Sequence, residues 1–186
     1  ILLLDGADAV LPPFGPELSA AARKVLEHNG VEVRLGAFVT NLDATGLDVR
    51  YSDGRTERIV SSCKVWAAGV QASPLGRTLS EQSGAGLDRA GRIQVNDDLT
   101  LPGHPEVFVV GDMIALKGLP GVAQVAIQGG RFAAARIKAQ VAGQPLGGEF
   151  VYHDKGSMAV ISRFGAVAKV GKLRLTGFPA WFAWLF

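Results

Sequence analysis

Cysteine is almost absent: Cys63 stands alone in 186 residues. That excludes an internal disulfide framework and a CxxC pair, and it points to a reducing compartment. Histidine is scarce as well. His28, His104 and His153 lie far apart with no metal-ligand spacing, which argues against a Cys/His zinc site. An excess of charge of one sign is also missing. The net charge is +2 at pH 7, too balanced to suggest a nucleic-acid partner. No run approaches ~18 apolar residues, so no helix is expected to cross a bilayer. "ILLLDGAD" has no charged leader and opens on a strand-like run. It reads as a chain cut inside a fold rather than as a signal peptide. Internal repeats and low-complexity segments are lacking too.

Glycine is what the chain has in quantity, 24 residues. It implies many tight turns or close backbone approaches, as in nucleotide-binding α/β proteins. At 48% hydrophobic and 19% charged, the composition suits one or two globular domains. Ile1–Leu4 reads as a buried parallel strand closed by Asp5-Gly6. A helix is expected from Pro16, with Leu18, Ala22, Val25 and Leu26 on one face and Asn29-Gly30 as its stop. "VEVRL" follows as a strand, giving a piece of βαβ architecture. Leu47, Val49 and Tyr51 alternate with polar residues, and "SDG" turns the chain into "RTERIV", an antiparallel hairpin. "CKVWAAGV" (63–70) reads as a buried strand, with Cys63 as a small core residue. "SPLGRTLSEQSGAGLDRAG" looks like an inter-domain connection. "GRIQVN" and "PEVFVVGD" are strands, the second of buried type. A long helix is expected over residues 121–142, then short strands and turns. The aromatic end "GFPAWFAWLF" starts another helix.

Several residues could carry chemistry, each with a plainer alternative. Asp5 ends the first strand, where an acid can accept hydrogen bonds from ribose hydroxyls; "DG" is also a common turn. Ala68-Gly69 follows an apolar run and would let a ligand approach the backbone, or is a plain exit to a loop. Gly111-Asp112 ends the most apolar stretch. Its carboxylate can accept hydrogen bonds from a polyol, with Gly111 removing an obstructing Cβ; a turn or N-cap aspartate is the alternative. In "LPGVAQVAIQGGRFAAARI", Gln124 and Gln128 are four apart and share a helix face. The small residues Ala123, Ala126, Gly129 and Gly130 would allow something flat to sit close, or pack the helix tightly on a sheet. Lys155, Arg163, Lys169, Lys172 and Arg174 precede the aromatic end, fitting either a membrane surface or a solvated face beside a core helix.

Together, "LLLDGADAVLPPF", "GVEVR", "VWAAGVQASPLG", "GRIQVNDDLTLPGHPEVFVVGDMI", "LPGVAQVAIQGGRFAAARI", "DKGSMAVISRFGAVA" and "GFPAWFAWL" resemble the carboxyl-terminal half of type II NADH dehydrogenase. That family is the FAD-dependent, non-proton-pumping NADH:quinone oxidoreductases of the flavoprotein disulfide reductase superfamily. The "AQVAIQ", "DKGSMA" and aromatic segments are the more specific part. The resemblance implies an α/β fold, a fragment of a flavoprotein with two dinucleotide-binding (tandem Rossmann-like) domains, an antiparallel excursion and a C-terminal membrane-contact segment. It implies a partial NADH-binding domain over 1–76, a returning part of the FAD domain over 77–145, and a membrane- and quinone-associated region over 146–186.

The same resemblance implies roles. Gly111 and Asp112 would serve the ribityl chain of FAD, and Ala123 and Gln124 the flavin ring. Asp5, Ala68 and Gly69 would serve NADH, and Gln124 and Gln128 the quinone. Hydride would pass from NADH to FAD and then reduce a quinone; no catalytic acid or base and no metal is assigned. A peripheral place on the cytoplasmic face of the bacterial inner membrane is implied, and dimers are usual in the family. Both glycine-rich dinucleotide loops are missing, so the chain made alone is expected neither to hold FAD nor to oxidise NADH. The rival readings are another flavoprotein of the superfamily, a disulfide or ferredoxin reductase, and a non-catalytic membrane-associated NADH-binding flavoprotein.

Overall fold

The computed structural model describes residues 1–145 and 147–185. The chain forms two compact units: Ile1–Trp66 together with Lys155–Phe186, and Ala67–Asp154.

The first unit begins with β1 (Leu2–Leu4), α1 (Pro16–His28) and β2 (Glu32–Arg34). β1 and β2 pair in parallel, Leu3 opposite Val33. The βα connection is therefore as expected, although β1 is half-buried rather than buried and Ile1 is exposed. Pro16 presets the first turn of α1, and Leu18 and Ala22 are fully buried, four apart on one stripe. Asn29 closes the helix by donating a side-chain N–H hydrogen bond to the Val25 carbonyl, 2.7 Å. β3 (Ala37–Leu42), β4 (Gly46–Tyr51) and β5 (Thr56–Val60) follow as an antiparallel sheet with β4 central. Leu47, Val49 and Tyr51 point to one buried face, as alternation requires.

Residues 63–70 do not form the expected strand. They join no ladder, and Val65, Trp66 and Val70 are exposed. Apolar β-formers favour a pleated surface only where a neighbouring strand pairs with them. Cys63 is exposed, not a core residue.

The second unit holds α2 (Leu75–Ser83), β6 (Ile93–Gln94), β7 (Thr100–Leu101), β8 (His104–Phe108), β9 (Ile114–Ala115) and α3 (Ala123–Val141). The stretch read as a bare connection thus contains a helix, α2, ended by Gly84 in the left-handed conformation. β6 and β9 pair in parallel, and β7 and β8 form a hairpin. β8 is half-exposed because its ladder is the short hairpin with β7. Val109, just beyond it, is the buried member of the "VFVV" run. The core gathers Ile93, Leu99, Val109, Ile114, Val125 and Phe150.

The chain then returns to the first unit as a meander of β10 (Ser157–Ser162), β11 (Gly165–Val170) and β12 (Leu173–Thr176), followed by α4 (Gly177–Trp184). The period of two decides what each β11 side chain meets. Val167 packs with Leu18 and Ala22 of α1, while Ala166 and Ala168 pack against Ala180 of α4. The small alanines let α4 lie close to the sheet. Among the described residues, no helix is long and apolar enough to cross a membrane.

Candidate functional site

Four of the expected site residues meet within the second unit. Beyond β8 the chain makes a single turn of 3-10 helix, Gly111–Met113. Gly111 enters it at φ 73°, the left-handed region that a side chain disfavours. A Cβ on Gly111 would touch Ala126 of α3 at 3.5 Å, so the turn lies directly against the helix. The Asp112 carboxylate is exposed, and its Oδ1 lies 3.7 Å from where a Cβ on Gly121 would stand. Asp112 therefore sits beside the chain that enters α3.

That helix start is open. Val122 occupies the N-cap position and offers no side-chain hydrogen bond. The first N–H groups of a helix have no internal partner, and the helix dipole adds positive potential there. Ala123 is exposed and Gln124 half-buried at this end. Neither the Asp112 carboxylate nor the Gln124 amide has a hydrogen-bond partner among the described residues. A lone carboxylate acceptor and a set of free donors thus share one small surface. Such a surface suits a ligand with hydroxyls at one end and an electron-rich ring or anion at the other.

The small residues of α3 divide by what they face. Gly129 is buried, with a Cβ position 3.4 Å from Leu99 and 3.8 Å from Val110. It is small because the helix packs closely on the core. Gly130 has nothing within 4 Å of its Cβ position.

Gln128 differs from Gln124. Its Nε2 donates to the His153 carbonyl at 2.9 Å, and its Oε1 accepts from the His153 N–H at 3.0 Å. Two further α3 residues hold the same stretch of chain. Phe132 meets Phe150 edge-on, centroids 5.7 Å apart. Arg136 donates to the carbonyls of Gly147 and Gly148 and pairs with Asp98 at 2.9 Å. Between these fastenings lies a cleft of about 340 Å³, lined by Gln128, Arg131, Phe132, Glu149, Phe150 and His153. Burial pushes the Tyr152 phenol above its ordinary value, and the neighbouring Asp154 carboxylate adds to the shift. At Asp98, burial favours the neutral acid, but the Thr100 hydroxyl and N–H together with Arg136 outweigh it and hold the carboxyl below its usual range. This fastened stretch escaped the sequence reading. Its signal was the four-residue spacing of Gln124, Gln128, Phe132 and Arg136 along α3.

Asp5 lies in the first unit. Its Oδ1 accepts from the Ala7 N–H at 2.9 Å, so one oxygen serves the local turn. Ala68 and Gly69 lie in the exposed chain at the start of the second unit, Gly69 at φ 79°. No cluster of metal-ligating side chains exists among the described residues.

Comparisons with known proteins give the family and the fold. The type II NADH:quinone oxidoreductase Ndh of Mycobacterium tuberculosis is 57% identical over all of this chain, which covers 40% of that protein. The type II NADH:quinone oxidoreductase of Staphylococcus saprophyticus is 34% identical over 91% of this chain and 42% of its own length. The chain thus spans about two fifths of the length of the curated relatives it matches. Among solved structures, NDH2 of Plasmodium falciparum in complex with NADH superposes with a TM-score of 0.80 at 14% identity, over 100% of this chain and 53% of that one. At that identity the likeness establishes the fold alone, a mixed α/β one. A family model described as pyridine nucleotide-disulphide oxidoreductase matches residues 1–130, and the chain belongs to that family.

Proposed function

We propose that this chain is part of an FAD-dependent NADH:quinone oxidoreductase that does not pump protons. The observation that carries the reading is the free Asp112 carboxylate set beside the uncapped start of α3. It fits a flavin cofactor at both ends. Asp112 would accept hydrogen bonds from ribityl hydroxyls, and Gly111 would make the left-handed turn that presents it. The N–H groups at Ala123 and Gln124 would be available to the ring, and their positive potential would favour its electron-rich reduced state. A bound flavin supplies two-electron exchange, so that NADH, one proton and quinone become NAD and quinol. Asp5, Ala68 and Gly69 belong to the NADH side, and Gln124 and Gln128 border the quinone. The family-level division into an NADH-binding part over 1–76, an FAD part over 77–145 and a terminal part over 146–186 completes the proposal.

The terminal part contacts a membrane surface peripherally, on the cytoplasmic face of a bacterial inner membrane. Phe178, Phe182 and Trp184 of α4 are each more than half exposed. Phe164, Phe178 and Trp181 form one ring cluster, with Arg163 over Phe164. Basic side chains beside exposed aromatics suit an anionic interface.

The direct test is flavin occupancy in the intact oxidoreductase containing this sequence. Hydrogen bonds to a charged group contribute roughly 1.5–3 kcal/mol each, so Asp112→Ala should weaken flavin retention by about tenfold or more. Unchanged flavin content in that variant would remove the cofactor role of Asp112.

A further inference from the structure

We infer that Arg92 is a positioning residue: braced by Asp88, it holds the loop that leads into α3 in place relative to the chain that follows Gly69. The inference deepens the proposed hydride transfer from NADH to flavin and rests on that reading. All of the residues concerned lie in the second unit.

The turn over residues 88–92 is closed on itself. Asp88 N–H donates to the Arg92 carbonyl at 2.9 Å, and Gly91 N–H to the Asp88 carbonyl at 3.1 Å. Asp88 Oδ1 accepts from the Ala90 and Arg92 N–H groups, each at 2.9 Å. Gly91, at φ 78°, supplies the left-handed bend that this closure needs. The turn is thus a stiff piece with two neighbours. One is the chain after Gly69: Ala72, three residues on, donates its N–H to the Ala90 carbonyl at 2.9 Å. The start of α2 lies flush on the same turn, since a Cβ on the buried Gly76 would stand 2.8 Å from the Gly91 carbonyl oxygen.

The other neighbour is the loop over residues 116–119. Leu119 N–H closes it on the Leu116 carbonyl at 2.9 Å, with Lys117 and Gly118 both left-handed, φ 46° and 71°. A cavity of about 400 Å³ is lined by Asp88 and Arg92 of the turn and by Leu116, Lys117 and Leu119 of the loop. Packing does not fill this space, so the loop has room to shift. Arg92 spans from one wall to the other. Its Nε pairs with Asp88 Oδ2 at 2.7 Å, and its Nη1 donates to the Leu119 carbonyl at 3.3 Å. A planar guanidinium holds two such partners in one fixed fork, which an ammonium does not. Leu119 is followed by Pro120 and by Gly121, the residue beside Asp112. Through its two neighbours the turn joins the segment assigned to NADH to the entry of the helix assigned to the flavin. Hydride transfer needs its reacting atoms about 3–3.5 Å apart, and a misplacement of about 1 Å can cost on the order of a hundredfold.

Single-turnover reduction of bound flavin by saturating NADH, in the intact flavin-loaded protein, reads this geometry. Rates are taken per bound flavin, so a variant that only loses stability or cofactor does not register as slow. Arg92→Met keeps the aliphatic stem, removes both bonds of the fork, and should slow the reduction by about tenfold or more. Arg92→Lys reaches one partner and should fall between Arg92→Met and wild type. Asp88→Asn keeps an oxygen for the two N–H groups of the turn, removes the charge of the brace, and should also be intermediate. Arg89→Met takes an exposed cation from the same turn and should leave the rate unchanged. An unchanged rate in Arg92→Met would overturn the inference. Equal slowing in Arg89→Met would overturn it too, by tracing the effect to lost positive charge. If Arg92→Met yields no flavin-loaded protein, wild-type rates in both Arg92→Lys and Asp88→Asn overturn it instead. Wild-type flavin that NADH does not reduce would bring down the proposed function itself.

Discussion

The paired glycines of α3 offer a perturbation whose size depends on three-dimensional surroundings. Glycine inside a helix costs roughly 0.8–1 kcal/mol relative to alanine. Sequence alone gives Gly129 and Gly130 the same penalty. Gly130 has open space where a Cβ would go, so Gly130→Ala should recover that energy in full, about 1 kcal/mol. Gly129→Ala gains the same propensity but sets a methyl 3.4 Å from Leu99 Cδ1. Leu99 is fully buried and held at φ 65°, so it has little freedom to yield. A contact at the short edge of van der Waals distance offsets part of the gain, so Gly129→Ala recovers less than Gly130→Ala. Thermal unfolding of the intact protein reads both. A gain of ~1 kcal/mol raises the midpoint by roughly 2–4 °C in a unit of 150–250 residues, and by less in a longer one. Gly130→Ala should unfold later than wild type, and Gly129→Ala earlier than Gly130→Ala. A midpoint for Gly130→Ala below wild type, or Gly129→Ala as the more stable of the two, would refute the packing argument. Higher stability with reduced quinone turnover in Gly130→Ala would show that the open face is used by a flat ligand.

Arg136 is nearly buried and pairs with Asp98. Arg136→Met leaves that part-buried carboxylate without its cation, and denaturant unfolding should show a loss of about 1–2 kcal/mol, below the roughly 3–5 kcal/mol of a fully buried pair. The Asp98 carboxyl is held below its usual value, so the folded state favours the ionised form. Its contribution is complete above the unfolded value of about 4 and is lost as pH falls through the depressed folded value. Acid unfolding should show that loss in wild type and not in Asp98→Asn. Phe178→Ser with Phe182→Ser should weaken sedimentation of the intact protein with anionic vesicles by about tenfold, without changing its flavin content. Equal sedimentation would detach α4 from the proposed membrane contact.

Much of the fold was legible because local signals agreed. Pro16 and Asn29 frame α1, "SDG" sets the β4–β5 hairpin, and alternation marks the buried face of β4. β3 was missed because its pattern is blurred: Phe38 and Leu42 are exposed while Ala37 is buried. α2 was missed because its glycines and serines read as a loop, although Gly84 supplies a clear stop. Residues 63–70 failed in the opposite way, with strong strand propensity and no ladder to join. The Asp112 turn could be placed beside a helix start from "GD" and "LPGVAQ", since both signals are local. The stretch fastened to α3 could not. It depends on contacts between Gln128 and His153, far apart in sequence; the four-residue spacing along α3 marks the helix side of the contact and does not name its partner.

Two-electron transfer from NADH to a quinone is the proposed reaction of the intact oxidoreductase. The most direct measurement is paired stoichiometry: NADH consumed and short-chain quinol formed by the purified, flavin-loaded protein, with a disulfide substrate in a parallel reaction. The proposed function predicts one quinol per NADH and no disulfide reduction. NADH consumption that yields reduced disulfide, or that proceeds without quinol, would contradict it.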